Sequence, residues 1–187
     1  LMALKSFVRC LRTVGVVQGD PLLDVQTPKK NPPRRRWASL ATDVRVVEAA
    51  PDPLYRCLFA YIHGTGADHT ATVEKIRRAD IDLERGIAIV RATKTGRRDR
   101  HVLIEPWALP FMRPHLATLL PGALVFEGVT RYMGAWHHEK ACASVQVEDY
   151  QLRDARHSVA MRMLAAGKSH REVADQLGTS VWQVGNT

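Results

Sequence analysis

The sequence predicts a mainly helical α+β domain with one small antiparallel sheet. Apolar residues recur at helical spacing through most of the chain, the period changes to β-rich runs over residues 81–104, and 45% of the 187 residues are hydrophobic, enough for a real core. The 27 Lys and Arg against 19 Asp and Glu leave a formal charge of +8. That excess asks for an acidic partner, with nucleic acid the first class to weigh beside a basic protein that binds nothing acidic. The sequence shows neither an apolar run approaching the roughly 18 residues of a membrane helix nor a charged-then-apolar leader, so no membrane contact and a soluble place in the cell interior are expected. Cys10, Cys57 and Cys142 lie far apart without a CxxC, which speaks against a disulfide framework or zinc cluster and for a reducing compartment and ordinary half-buried thiols.

Residues 1–17 place Leu4, Phe7, Val8 and Leu11 on one helical face and stop at Gly15. Residues 18–38 read as an extended basic linker: Pro21, Pro28, Pro32 and Pro33 forbid a helix. Lys29, Lys30, Arg34, Arg35 and Arg36 give this segment the charge of a strap laid along phosphates, or of a solvated charge run. The folded domain is expected over 39–187. A helix from Ser39 groups Leu40, Val44, Val47 and Ala50 and ends at Pro51, and a strongly apolar one from Leu54 runs to Gly64-Thr65-Gly66, with Tyr55 and Tyr61 in its core face. Thr70 to Ala79 reads as a further helix.

The period then changes. Ile81-Asp82-Leu83, Ile87 to Val90 and Val102-Leu103-Ile104 predict a short antiparallel sheet around the turn Thr93-Lys94-Thr95-Gly96, with Lys94 near its tip. Helix returns from Trp107 to Leu120, a loop is expected over Gly128–Gly134, and helix over His137–Val145, where His137-His138 read as surface histidines rather than metal ligands. Asp149–Ala166 is helical at least in its second half. Ser169 and Glu172 form a capping box opening a helix to Gly178, and Thr179 or Ser180 caps a last one carrying Val181, Trp182 and Val184.

Three features exceed background. Arg91, Lys94, Arg97, Arg98 and Arg100 crowd one hairpin, whose cations suit a DNA groove or merely an exposed turn. Arg153 and Arg156 share a helix face with His157 adjacent, as a reaction on a phosphodiester needs, or as an exposed face paired with Asp149 and Asp154 shows. The third is the capped helix ending Leu177-Gly178-Thr179-Ser180.

The order Gly64-Thr65-Gly66-Ala67, Ala79-Asp80-Ile81-Asp82, Thr93-Lys94-Thr95-Gly96, Leu152…Arg156-His157-Ser158 and Leu177-Gly178-x-Ser180 resembles the catalytic domain of tyrosine recombinases, the phage integrase family, from about Leu40 to Thr187. The resemblance implies a mainly helical C-shaped clamp on double-stranded DNA, assembled as tetramers. It cuts one strand through a 3′-phosphotyrosyl intermediate without metal or cofactor, in the cytoplasm, at the bacterial nucleoid or from a phage. Residues 1–17 would then be the tail of an N-terminal core-binding domain.

Residue by residue, Lys94 matches the general acid for the leaving 5′-oxygen and Arg156 the second catalytic arginine. Arg153 stands where the family usually has His, and a guanidinium holds phosphate but is no base. The first family arginine falls on Asp68 or His69, of which a protonated His69 would partly substitute. Thr179 replaces a His or Trp, keeping a hydroxyl donor. The nucleophilic tyrosine falls nine residues after Thr179, one position past Thr187, and Tyr55, Tyr61, Tyr132 and Tyr150 do not match its motif. The expectation is therefore a DNA-binding fragment without cleavage. The alternative is a non-catalytic DNA-binding module, either a decayed accessory recombinase or a helix-turn-helix built on Val173, Ala174, Leu177, Gly178 and Val184.

Overall fold

The computed structural model describes residues 2–19, 21–22, 36–91 and 99–185. It forms two compact units, Leu1–Arg34 and Arg35–Thr187. The first carries helix α1 (Met2–Thr13), on which Leu4 and Phe7 stand exposed. Residues 23–35, which hold Lys29, Lys30, Arg34 and Arg35 of the expected strap, lie outside the described residues.

The second unit is built around helix α3 (Pro53–Thr65), preceded by α2 (Leu40–Glu48). Pro53 occupies the first turn of α3, where its missing N–H costs nothing, and the Asp52 carboxylate caps the helix by accepting from Tyr55 N–H at 2.9 Å. Residues Cys57 to Thr65 are all buried, so α3 is apolar around its whole circumference rather than on one stripe. Tyr55 and Tyr61 lie in the core, as their apolar setting predicts.

Helix α4 (His69–Lys75) ends at Ile76, earlier than the sequence suggests. From there the backbone pairs with the segment after Pro121: Val125 N–H donates to Ile76 C=O, Arg78 N–H to Ala123 C=O and Ala79 N–H to Pro121 C=O, each at 2.9 Å. Those bonds replace the helical ladder. Strands β1 (Ile81–Asp82), β2 (Ile87–Val90) and β3 (Arg100–Leu103) then form an antiparallel sheet in that order, with Ala88 opposite Val102 and Val90 opposite Arg100. Ala88, Val90 and Val102 face the core.

Helix α5 (Leu109–Leu116) packs Met112 and Leu116 into the core beside α3. Helix α6 (Arg131–Ser144) starts where a loop is expected. The Thr130 hydroxyl caps it by accepting from Met133 N–H, and Gly134 serves as a contact point: a Cβ there would sit 2.4 Å from His69 Nε2. The early start places His138 on the core face, 1% exposed, which corrects its reading as a surface residue; His137 stacks on the Tyr55 ring. Cys57 and Cys142 are buried and Cys10 is exposed.

Helices α7 (Ala155–Ala165), α8 (His170–Leu177) and α9 (Val181–Gly185) share a second small core of Val159, Ala160, Val173, Ala174, Leu177 and Val184. The capping box at Ser169 and Glu172 forms as expected. No helix among the described residues is long and apolar enough to cross a membrane.

Candidate active site

Three chain turns meet at the first turn of α7. A tight 3₁₀ turn (Leu152–Asp154), closed by Asp154 accepting from Gln151 N–H, aims the start of α7 at the end of α3. Helix α3 stops there because Gly66 takes the left-handed conformation at φ 69°. Gly66 has a second reason to lack a side chain, since a Cβ would lie 2.5 Å from Leu177 Cδ2 and 3.3 Å from Val159 Cβ. Helix α8 therefore closes directly over the glycine turn.

Arg156 fills this junction. Its Nη1 donates to Gly66 C=O at 3.2 Å and its Nη2 to Leu177 C=O at 2.5 Å. Burial and the neighbouring Arg100 lower its pKa, while the Asp68 carboxylate pulls the other way; a guanidinium remains cationic throughout the working range. From the opposite side, Arg100 at the start of β3 donates from Nη2 to the same Leu177 C=O at 3.2 Å and from Nε to Gln176 C=O at 3.4 Å. The left-handed Gly178 makes room for it: a Cβ would stand 2.5 Å from Arg100 Cζ.

Gln176 locks the arrangement. Its amide donates to Thr65 C=O and Leu103 C=O and accepts from Leu103 N–H, so one buried side chain joins α8, α3 and β3. The residues of the alternative helix-turn-helix pattern, Val173, Ala174, Leu177 and Val184, pack together across α8 and α9 with Gly178 left-handed in the turn, and Val181 and Trp182 on α9 are exposed.

The remaining expected site residues distribute unevenly. Lys94, Arg97 and Arg98 lie outside the described residues. Asp68 caps α4 by accepting from Ala71 N–H at 3.0 Å. His69 lies against Gly134, with Nε2 buried and unpartnered, and burial lowers its pKa, so it carries no positive charge at neutral pH. Arg153 is exposed and lines, with His69, Arg131 and Tyr150, a cleft of about 760 Å³. His157 follows Arg156 and is half-buried, and the Thr179 hydroxyl donates to Gln183 Oε1.

Two of the arginines expected to face DNA also pair with carboxylates. Arg91 reaches buried Asp80 with Nη2 at 2.5 Å and Asp99 with Nη1 at 3.1 Å, anchoring the base of the hairpin, and Arg36 pairs with Asp149. Tyr55, Tyr61 and Tyr150 are at most 8% exposed. Burial raises the pKa of all three, most for Tyr150, where Asp43 adds to the effect. The hydroxyl of exposed Tyr132 accepts from Arg131.

Beneath the site lies a buried polar network that the spacing did not reveal. Asp43 accepts from His63 Nδ1, Tyr150 Oη and Arg162 Nη1; Arg162 also donates to Glu105 and to His63 C=O, and His63 Nε2 meets His138 Nε2 at 3.0 Å. Burial raises the Asp43 pKa, but His63, Arg162 and Tyr150 outweigh it and hold the carboxyl below its ordinary value. The available signal was compositional: His63 inside an unbroken apolar helix, and Arg162 and Gln176 among the core positions of α7 and α8.

A helical core with a small antiparallel sheet beside it is the architecture of the tyrosine recombinase catalytic domain, and the chain belongs to that family. It is 30% identical over 201 residues to tyrosine recombinase XerD of Lacticaseibacillus casei, covering 96% of this chain and 67% of that protein. Among solved structures it is similar to XerA recombinase, with a TM-score of 0.67 at 18% identity over 80% of this chain. It is also similar to a lambda integrase dimer bound to a COC′ core site, with a TM-score of 0.75 at 15% identity over 97% of this chain. The chain spans 58% of the XerA chain and 56% of the lambda integrase chain. No family model matches it.

Proposed function

We propose that this domain binds double-stranded DNA and holds one backbone phosphate at Arg156, as the phosphate-binding half of a DNA strand-transfer site. The observation that carries the reading is the seating of Arg156 between Gly66 C=O and Leu177 C=O. Two fixed carbonyls orient a guanidinium without cancelling its charge, so charge building up on a phosphorane meets a preorganised cation. The lambda integrase dimer on its core site supports DNA as the partner and assembly on it. The expected tetramer, the cytoplasmic location at a nucleoid or on phage DNA, and the role of Lys94 as general acid belong to the same reading.

Strand cleavage further requires a tyrosine hydroxyl at Arg156. The three buried tyrosines are held away from any DNA phosphate, and Tyr132 is engaged by Arg131. None of these four tyrosines is therefore placed for cleavage, and of the two positions on which the first family arginine falls, Asp68 caps a helix and His69 has a lowered pKa, which favours DNA binding over cleavage at the residues described.

The test has two arms. Duplex binding measured against salt should show log affinity falling steeply with log salt, and Arg156→Gln should weaken it; a flat salt response or an indifferent variant overturns the reading. A nicked duplex that makes cleavage irreversible should yield no covalent adduct, and an adduct abolished by Arg156→Gln would restore catalysis to this chain.

A further inference from the structure

We propose that Gln176 is a positioning residue for Arg156: by bonding the chain beside both carbonyls that hold the guanidinium, it sets the affinity of the site for phosphate. The inference rests on the reading of Arg156 above and extends it to a side chain that meets no ligand itself.

Arg156 is held by two acceptors, Gly66 C=O at the end of α3 and Leu177 C=O at the end of α8. Gln176 reaches the chain next to each. Its own backbone leads into Leu177, and its Nε2 donates to Thr65 C=O, one residue before Gly66, at 3.0 Å. Thr65 then completes the glycine turn: its hydroxyl accepts at 3.1 Å from Ala67 N–H, the amide that shares a peptide group with Gly66 C=O. The other Nε2 proton goes to Leu103 C=O, and Oε1 accepts from Leu103 N–H, so the amide spends both its donors on backbone and is held at three points.

The last turn of α3 leaves no slack around this contact. Ile62 C=O accepts from Gly66 N–H, His63 C=O from Arg162 Nη2, Gly64 C=O from Glu105 N–H, Thr65 C=O from Gln176 and Gly66 C=O from Arg156. Carbonyls that a helix end ordinarily leaves to water are here taken by α7, by α8 and by the chain after β3. Among those donors, Gln176 belongs to the segment that also carries the second acceptor of Arg156, so one side chain ties the two acceptors to each other.

The residue type suits bonding rather than packing. Gln176 is 8% exposed, on a helix whose other buried members are Val173, Ala174 and Leu177. A polar side chain at such a place is costly unless fully bonded. An arginine loses much rotamer freedom when it grips an anion, and holding its acceptors still removes part of that cost before the anion arrives.

The test uses the full chain, with inorganic phosphate as the probe and chloride at matched ionic strength as the control, and follows the Arg156 Nε resonance by ¹⁵N NMR. Gln176→Met, similar in length but without the amide, should weaken phosphate binding by about tenfold. Val46→Ala, a truncation of a fully buried side chain on α2, should lower the urea midpoint yet bind phosphate as the parent does. In the unmodified protein linkage requires the converse, so saturating phosphate should slow exchange of the Gln176 side-chain amide protons by about tenfold. That measurement needs no variant and decides the matter even if Gln176→Met does not fold. If Gln176→Met binds as the parent does, if Val46→Ala loses as much affinity, or if phosphate leaves the Gln176 protons no better protected, the glutamine only braces the fold and the proposal fails while the role of Arg156 stands. If the Arg156 resonance of the parent ignores phosphate, the reading of Arg156 falls and this proposal with it.

Discussion

The side-chain amide of Gln176 pairs with Leu103 as a neighbouring strand would: Oε1 accepts from Leu103 N–H at 2.9 Å and Nε2 donates to Leu103 C=O at 2.8 Å. The open edge of β3 is closed by one glutamine from α8, which also reaches Thr65. The placement of Leu177 C=O, which accepts from Arg156, thus depends on the neighbouring Gln176 side chain.

Gln176→Ala should destabilise the domain by about 2 kcal/mol, because it strands buried backbone groups of Leu103 and Thr65. Urea unfolding measures the loss. Amide hydrogen exchange at Leu103 should accelerate beyond what the global loss accounts for, and an unchanged rate would show that water replaces the glutamine.

Two glycines in the left-handed conformation should respond differently to alanine. Gly167 at φ 79° has nothing within 4 Å of a built Cβ, so Gly167→Ala should cost only backbone strain, about 1 kcal/mol. Gly66→Ala adds a collision with Leu177 and should cost about 2–4 kcal/mol. Thermal unfolding of the two variants side by side tests the difference, and equal losses would contradict the close approach of α8.

Arg162→Met should destabilise by about 3–5 kcal/mol, since it leaves the buried Asp43 carboxylate without its guanidinium. A double variant that also carries Asp43→Asn should lose less than the two single losses added together, as a shared network requires. Strict additivity in urea titrations would show that the groups act independently.

Stability should fall on mild acidification. Burial, with His63 and His69 nearby, holds the His138 pKa well below its ordinary 6.5. The unfolded chain therefore takes up a proton that the folded domain refuses. The stabilisation is complete above pH 6.5 and is lost progressively as the pH drops below that value towards the folded pKa. His138→Gln should flatten the slope between pH 6.5 and 5, measured as denaturation midpoints; an unchanged slope would point to other groups.

Arg91 and Arg156 should separate in DNA binding. Arg91→Gln should hardly alter the salt dependence, because Asp80 and Asp99 already take up that charge, whereas Arg156→Gln should reduce the slope of log affinity against log salt by about 1. The comparison needs only duplex titrations at several salt concentrations.

The sequence by itself determined the fold class, the position of the sheet, the helix boundaries marked by Ser39 and Ser169, and the family to which the Thr65-Gly66 and Arg156-His157 motifs belong. These are local properties, read from periodicity, capping and motif order. Only the tertiary structure decided which partners each cation meets. Arg91 and Arg100 lie on one hairpin and are indistinguishable by spacing, yet one lies against Asp80 and the other against carbonyls of α8. Likewise His138 becomes buried, and the pKa of both His69 and His138 is lowered, because α6 starts after the Thr130 cap and packs against α3 and α4. The electrostatic character of a side chain depends on what the fold brings within hydrogen-bonding distance, and those partners lie beyond the reach of local periodicity, from 11 residues away for Asp80 of Arg91 to 76 for Gln176 of Arg100.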